Sequence, residues 1–149
     1  MSNPLFNKVL VANRGEIACR IMRTLSQMGI STVAIYHAQM ADKAVEIYGE
    51  TPVAAHLDMG QIIEIARNLE VDAIHPGYGF LSENANFAAA VADAGMTFIG
   101  PDAETIALMG DKISARNFAE KHNVAVAPSV MPTDDLDDFI EKAAGIGYP

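Results

Sequence analysis

Short apolar runs alternate with helical stripes along the first hundred residues, and this alternation leaves few folds open. KVLVAN (residues 8–13) is followed by Ile17, Ile21, Leu25 and Met28, spaced along one face of a helix that Gly29 closes. STVAIY (31–36), rich in β-branched and aromatic residues, reads as the second strand, and AVEI (44–47) as a short third one. Asp58 caps a helix striped by Ile62, Ile65, Ala66 and Leu69. VDAIH (71–75) is the fourth strand, Ser82 opens a helix holding Phe87, Val91 and Ala94, and TFIG (97–100) is the fifth strand. Strands separated by helices with short links predict an α/β fold: a mostly parallel sheet covered on both faces. Such sheets take ligands beyond the carboxyl ends of their strands, where HPGYGF (75–80) falls.

The pattern changes after Pro101. Asp102 and Asp111 cap a short helix and then a longer one through Lys121. NVAVAPSVMP is extended and broken by proline, and an acidic helix follows from Asp134 to about Ala144. Its acids fit a solvated face better than a metal site.

Charge and cysteine content narrow the function classes. A net charge of −9, with ten scattered Lys and Arg, argues against a nucleic-acid or anionic-membrane surface. Cys19 has no second cysteine to pair with, which suits a reducing compartment. MSNPLFNK is neither a basic leader nor an apolar anchor, and no run approaches the ~18–20 apolar residues of a membrane span. Cytoplasm is the default expectation, and a mitochondrial matrix location after removal of a leader is compatible with it.

Three motifs and the four histidines bear on the chemistry. VANRGEIACRI (11–21) is a strand-turn-helix with only Gly15 of the glycines a dinucleotide fingerprint requires, and Glu16 stands where a phosphate would sit. The chain keeps that architecture without the chemistry of an NAD site. In MGDK (109–112), Lys112 projects from the first turn of a helix, where a cation opposes the macrodipole unless an anion shares the site. A phosphate gripped jointly by helix N–H groups and the ammonium would resolve this; an exposed lysine without a ligand is the plainer reading. His37, His56, His75 and His122 lack metal-ligand spacing, and His75 reads as a hydrogen-bonded structural histidine. HPGYGFLSEN (75–84) sets Tyr78 between Gly77 and Gly79, beside what looks like a new helix start.

VANRGEIACRI, QMADKAVEI, HPGYGFLSEN, FIGP and MGDK, in this order, closely resemble the N-terminal domain of biotin carboxylase, from about Asn7 to Pro149. That family is the ATP-dependent component of acetyl-CoA, propionyl-CoA and pyruvate carboxylases. The resemblance implies a Rossmann-like (pre-ATP-grasp) domain at 1–101 and a helical linker at 102–149 leading toward an ATP-grasp domain beyond this chain. It implies carboxylation of biotin on a carrier domain, with ATP, Mg2+ or Mn2+ and bicarbonate, through a carboxyphosphate. It also implies a biotin carboxyl carrier domain, a carboxyltransferase subunit and a homodimer as partners. Tyr78 and Gly79 match positions against the biotin ring system, and Glu83 an acid bordering the same cavity. Lys112 matches a lysine on the ATP phosphates, and Arg23 a residue of the homodimer interface.

The sequence departs from the family in three places. Gln27 stands where some members pair an acid with the residue matching Arg23. The acidic stretch usual after the second strand is cut to His37-Ala38. GIGYP (145–149) falls where the family runs on into a second ATP-binding lysine and a glycine-rich loop, so these residues alone are expected not to turn over ATP. Two alternatives are a non-catalytic module that binds a full-length carboxylase through the dimer surface, and the first domain of another ATP-grasp ligase.

Overall fold

The computed structural model describes residues 5–35, 42–131 and 133–147. It divides into two compact units, Met1–Ala107 and Leu108–Pro149. In the first, β1 (Lys8–Val11), α1 (Gly15–Gln27), β2 (Ser31–Ile35) and β3 (Lys43–Val45) are followed by α2 (Pro52–Leu57) and α3 (Met59–Asn68). Then come β4 (Ala73–His75), a 3-10 turn (Phe80–Glu83), α4 (Ala85–Asp93), β5 (Thr97–Phe98) and α5 (Ala103–Gly110), which crosses the boundary between the units.

All strand pairs are parallel, in the order β3-β2-β1-β4-β5. β1 is central, and Val9 through Ala12 are completely buried, as a strand covered on both faces requires. These side chains divide between two cores. Val9 and Val11 join Ala18, Met22 and Leu25 of α1, while Leu10 and Ala12 join Ile62 and Ala66 of α3 and Phe87 and Val91 of α4. Helices therefore cover both faces, as the alternation of strands and stripes predicts. At the amino end of the sheet, Asp72 accepts the backbone N–H groups of Asn7 and Lys8, each at 2.8 Å, and pins β1 to β4.

Several boundaries differ from the sequence reading. The strands are shorter, and Tyr36, with the shortened segment after it, lies outside the described residues. On α1 the buried stripe is Ala18, Met22 and Leu25; Met28, one residue past the helix, is exposed. Apolar spacing identifies this helix but sets its inward face about one position off. α2 has no counterpart in the sequence reading, although Thr51 caps it through its hydroxyl and Pro52 opens it. Ser82 does not start a helix: it lies in the 3-10 turn, and Asn84 caps α4 by accepting the Phe87 N–H at 3.0 Å.

The second unit contains α6 (Lys112–Lys121) and α7 (Leu136–Ile146). Asp111 caps α6 by accepting the Ser114 N–H at 2.7 Å, and hydrogen bonding from Ser114 holds its carboxyl below the ordinary aspartate range. Asp135 caps α7, so the acidic helix starts at Leu136 rather than Asp134, and its acidic first turn complements the macrodipole.

Candidate functional site

The strand order reverses direction between β1 and β4, and both strands deliver their carboxyl ends to that point. β1 continues into Asn13 and Arg14, with the Ala12 N–H donating to the His75 carbonyl at 2.8 Å. β4 continues into Pro76, Gly77, Tyr78 and Gly79 before the chain turns at Phe80.

The loop is held from three sides. Asn13, 2% exposed, donates from Nδ2 to the carbonyls of Pro76 (2.8 Å) and Tyr78 (3.0 Å), while its Oδ1 accepts the Arg14 N–H at 2.9 Å. From β4, Nδ1 of His75 accepts the Gly77 N–H at 3.0 Å, so that nitrogen is unprotonated and the ring proton sits on Nε2. Burial lowers the pKa of His75 below its ordinary value, which favours this neutral form. Phe80, in the left-handed region at φ 49°, lies with its ring 5.3 Å from that of His56 and under the Arg14 guanidinium at 5.4 Å.

The glycines either side of Tyr78 serve different ends. A Cβ on Gly77 would come within 2.6 Å of Asn13 Cβ and Cγ, so close approach requires glycine there. Gly79 has φ 66° and ψ −160°, a region essentially closed to other residues, and the direction its Cβ would take is empty to 4 Å. Tyr78 between them is 76% exposed. An aromatic side chain with one polar tip thus stands beside bare backbone at the mouth of the sheet.

The site residues read from the sequence fall in separate places. Tyr78 and Gly79 share this loop, and exposed Glu83 ends the 3-10 turn that follows it. Arg23 is on the exposed side of α1. Lys112 belongs to the second unit, where it is exposed and is the first residue of α6, as the MGDK reading predicts. Asn13 and Phe80 are absent from the site residues read from the sequence, which weighs VANRGE for phosphate chemistry alone and His56 only as a metal ligand. An asparagine directly after a buried strand is nevertheless a signal for backbone clamping.

A hollow of about 300 Å³ lies beyond β3, lined by Glu46, Tyr48, Thr51, Pro52 and His56 among others. His56 Nδ1 pairs with the Pro52 carbonyl at 2.7 Å; Nε2 is sealed from solvent and has no partner among the described residues. A ligand in the hollow cannot reach that nitrogen without a rearrangement.

The family described as "Biotin carboxylase, N-terminal domain" matches residues 5–106. The chain belongs to that family. It is 48% identical to the biotin carboxylase of Halalkalibacterium halodurans over 155 residues, covering 97% of this chain and 34% of that protein. It is 44% identical to the propionyl-CoA carboxylase alpha chain of Ruegeria pomeroyi over 154 residues, covering 97% of this chain and 23% of the relative. Among solved structures, the biotin carboxylase domain dimer of the Hydrogenobacter thermophilus 2-oxoglutarate carboxylase superposes with a TM-score of 0.90 at 42% identity. That match covers 99% of this chain and 34% of the other, which was determined with MgADP, ADP and bicarbonate. This chain therefore spans about a third or less of the length of these relatives.

Proposed function

We propose that this chain is the N-terminal part of an ATP-dependent biotin carboxylase and contributes one wall of its biotin site. The observation that carries the proposal is the exposed Tyr78 ring beside Gly79, whose empty Cβ direction leaves room for a flat bicycle. A planar ureido ring system can lie against an aromatic face and approach bare backbone closely. Glu83 borders the same opening. Bound ATP with Mg2+ supplies the phosphoryl group that activates bicarbonate. This chain's share of that step is the Lys112 ammonium, which opposes the α6 dipole until an anion joins it.

In this reading residues 1–101 form the Rossmann-like domain and 102–149 lead toward an ATP-grasp domain. Arg23 lies on a homodimer surface, a biotin carrier domain and a carboxyltransferase are partners, and the protein works in the cytoplasm. The 149 residues alone are inactive, because one lysine does not assemble an ATP site. The test is a titration of d-biotin into the isotope-labelled chain, followed by NMR. Shifts concentrated at Tyr78, Gly79 and Glu83, with no bicarbonate-dependent ATP hydrolysis, are expected. Biotin shifts that bypass this loop would overturn the biotin-wall reading, and turnover by this chain alone would overturn its predicted inactivity.

A further inference from the structure

We propose that Asn13 is a positioning residue for the Tyr78–Gly79 wall: its side-chain amide grips the loop carbonyls on either side of Gly77 and so sets where Tyr78 and Gly79 face. The inference rests on the biotin reading above for its consequence, but not for its geometry.

Three observations converge on it. Both ends of the amide are in use, with Nδ2 on the carbonyls of Pro76 and Tyr78 and Oδ1 on the Arg14 N–H. This pattern fixes the amide orientation, since a flipped group would set oxygen against two carbonyl oxygens. An aspartate of the same shape has no donor to offer, and a serine is too short to span both carbonyls. Next, the loop is cut to fit the clamp: any Cβ on Gly77 would strike the Asn13 side chain. Finally, Asn13 is almost fully buried, and its bond to the Pro76 carbonyl is shielded from competing water. The loop's own backbone bonding resumes only where the Ser82 N–H reaches the Gly79 carbonyl at 3.0 Å.

Asn13 acts on the proposed ring site through Tyr78. A purely stabilising role would lower the melting temperature and leave the loop's conformation and its response to biotin alone. A positioning role moves both.

The experiment uses the labelled 149-residue chain and its Asn13→Leu and Asn13→Ser variants. In the parent chain the Asn13 side-chain amide protons should exchange with solvent far more slowly than those of exposed Asn86. In the variants, resonances of Gly77, Tyr78 and Gly79 should shift or broaden while those of Met22 and Ile62 stay in place. The d-biotin concentration needed to move Tyr78 should rise on the order of tenfold, as misplacement of a recognition group predicts. Fast exchange of the Asn13 amide overturns the proposal, and that measurement needs no variant to fold. Variants with reduced stability but unchanged loop resonances overturn it too. If the parent chain shows no biotin response, the biotin reading fails by itself, and the loop resonances still decide the role of Asn13.

Discussion

A methyl group on Gly77 would be driven into the side chain that holds its loop. In Gly77→Ala the new Cβ falls within 2.6 Å of Asn13 Cβ and Cγ, well inside van der Waals contact, at a backbone φ of 72°. The left-handed conformation costs a non-glycine residue about 1–2 kcal/mol. Forcing a methyl into a filled space adds about 1–3 kcal/mol. If Asn13 yields instead, the buried Pro76 carbonyl loses its donor, at about 1–3 kcal/mol for an unmet group. Because yielding relieves the overlap, these last two costs are alternatives, and the total is about 2–5 kcal/mol. That is a large fraction of the ~5–15 kcal/mol that holds a domain together. Gly79→Ala is the internal control, since its Cβ meets nothing within 4 Å and only the backbone conformation, at about 1–3 kcal/mol, opposes it. Urea unfolding followed by circular dichroism measures both variants, and equal slopes allow the midpoints to be read as stability. Gly77→Ala should be the less stable of the two. A Gly77→Ala chain within about 0.5 kcal/mol of the parent, the usual effect of a harmless substitution, would refute the reasoning.

Two further outcomes concern the two ends of β4. Asp72→Ala removes the acceptor shared by the solvent-exposed Asn7 and Lys8 N–H groups and should cost about 0.5–1.5 kcal/mol, read from the urea midpoint, with β1 amides exchanging faster. His75 has its pKa lowered by burial, so between its folded value and the ordinary 6.5 the unfolded chain binds more protons. Stability should therefore rise with pH through that window and decline as pH falls below about 6.5. His75→Asn should remove this part of the slope, and an unchanged slope on the acid side of neutrality would count against the assignment.

The fold was legible because its signals are local and repeated. Val9 to Ala12 is a continuous apolar run, and Leu25, Ile62, Ala66, Phe87 and Val91 lie in stripes of helical spacing. Sequence and structure part where spacing is indifferent to detail. Met28 keeps the period of α1 yet falls beyond its last turn, and both Ser82 and Asn84 can cap a helix. Only the 3-10 turn from Phe80 to Glu83, with its left-handed start, selects Asn84. At the candidate site, a tyrosine between glycines after a strand is a visible local oddity, and the family resemblance is what marks Tyr78 and Gly79 as site residues. Asn13 did not, because its partners are Pro76 and Tyr78, and a contact across so much chain leaves no local pattern.

The same clamp ties the loop to the whole of the fold in time as well as in space. The bond from Asn13 to the Tyr78 carbonyl spans 65 residues of chain. Closing a loop of that length costs roughly 4 kcal/mol in chain entropy, beyond a constant, before any contact repays it. Asn13 meets its loop only when β4 has come to lie beside β1, with α1, β2, β3, α2 and α3 in the chain between them. The shape of the loop therefore depends on the β1–β4 pairing, and a chain that has paired β1 with β2 alone leaves Tyr78 unclamped.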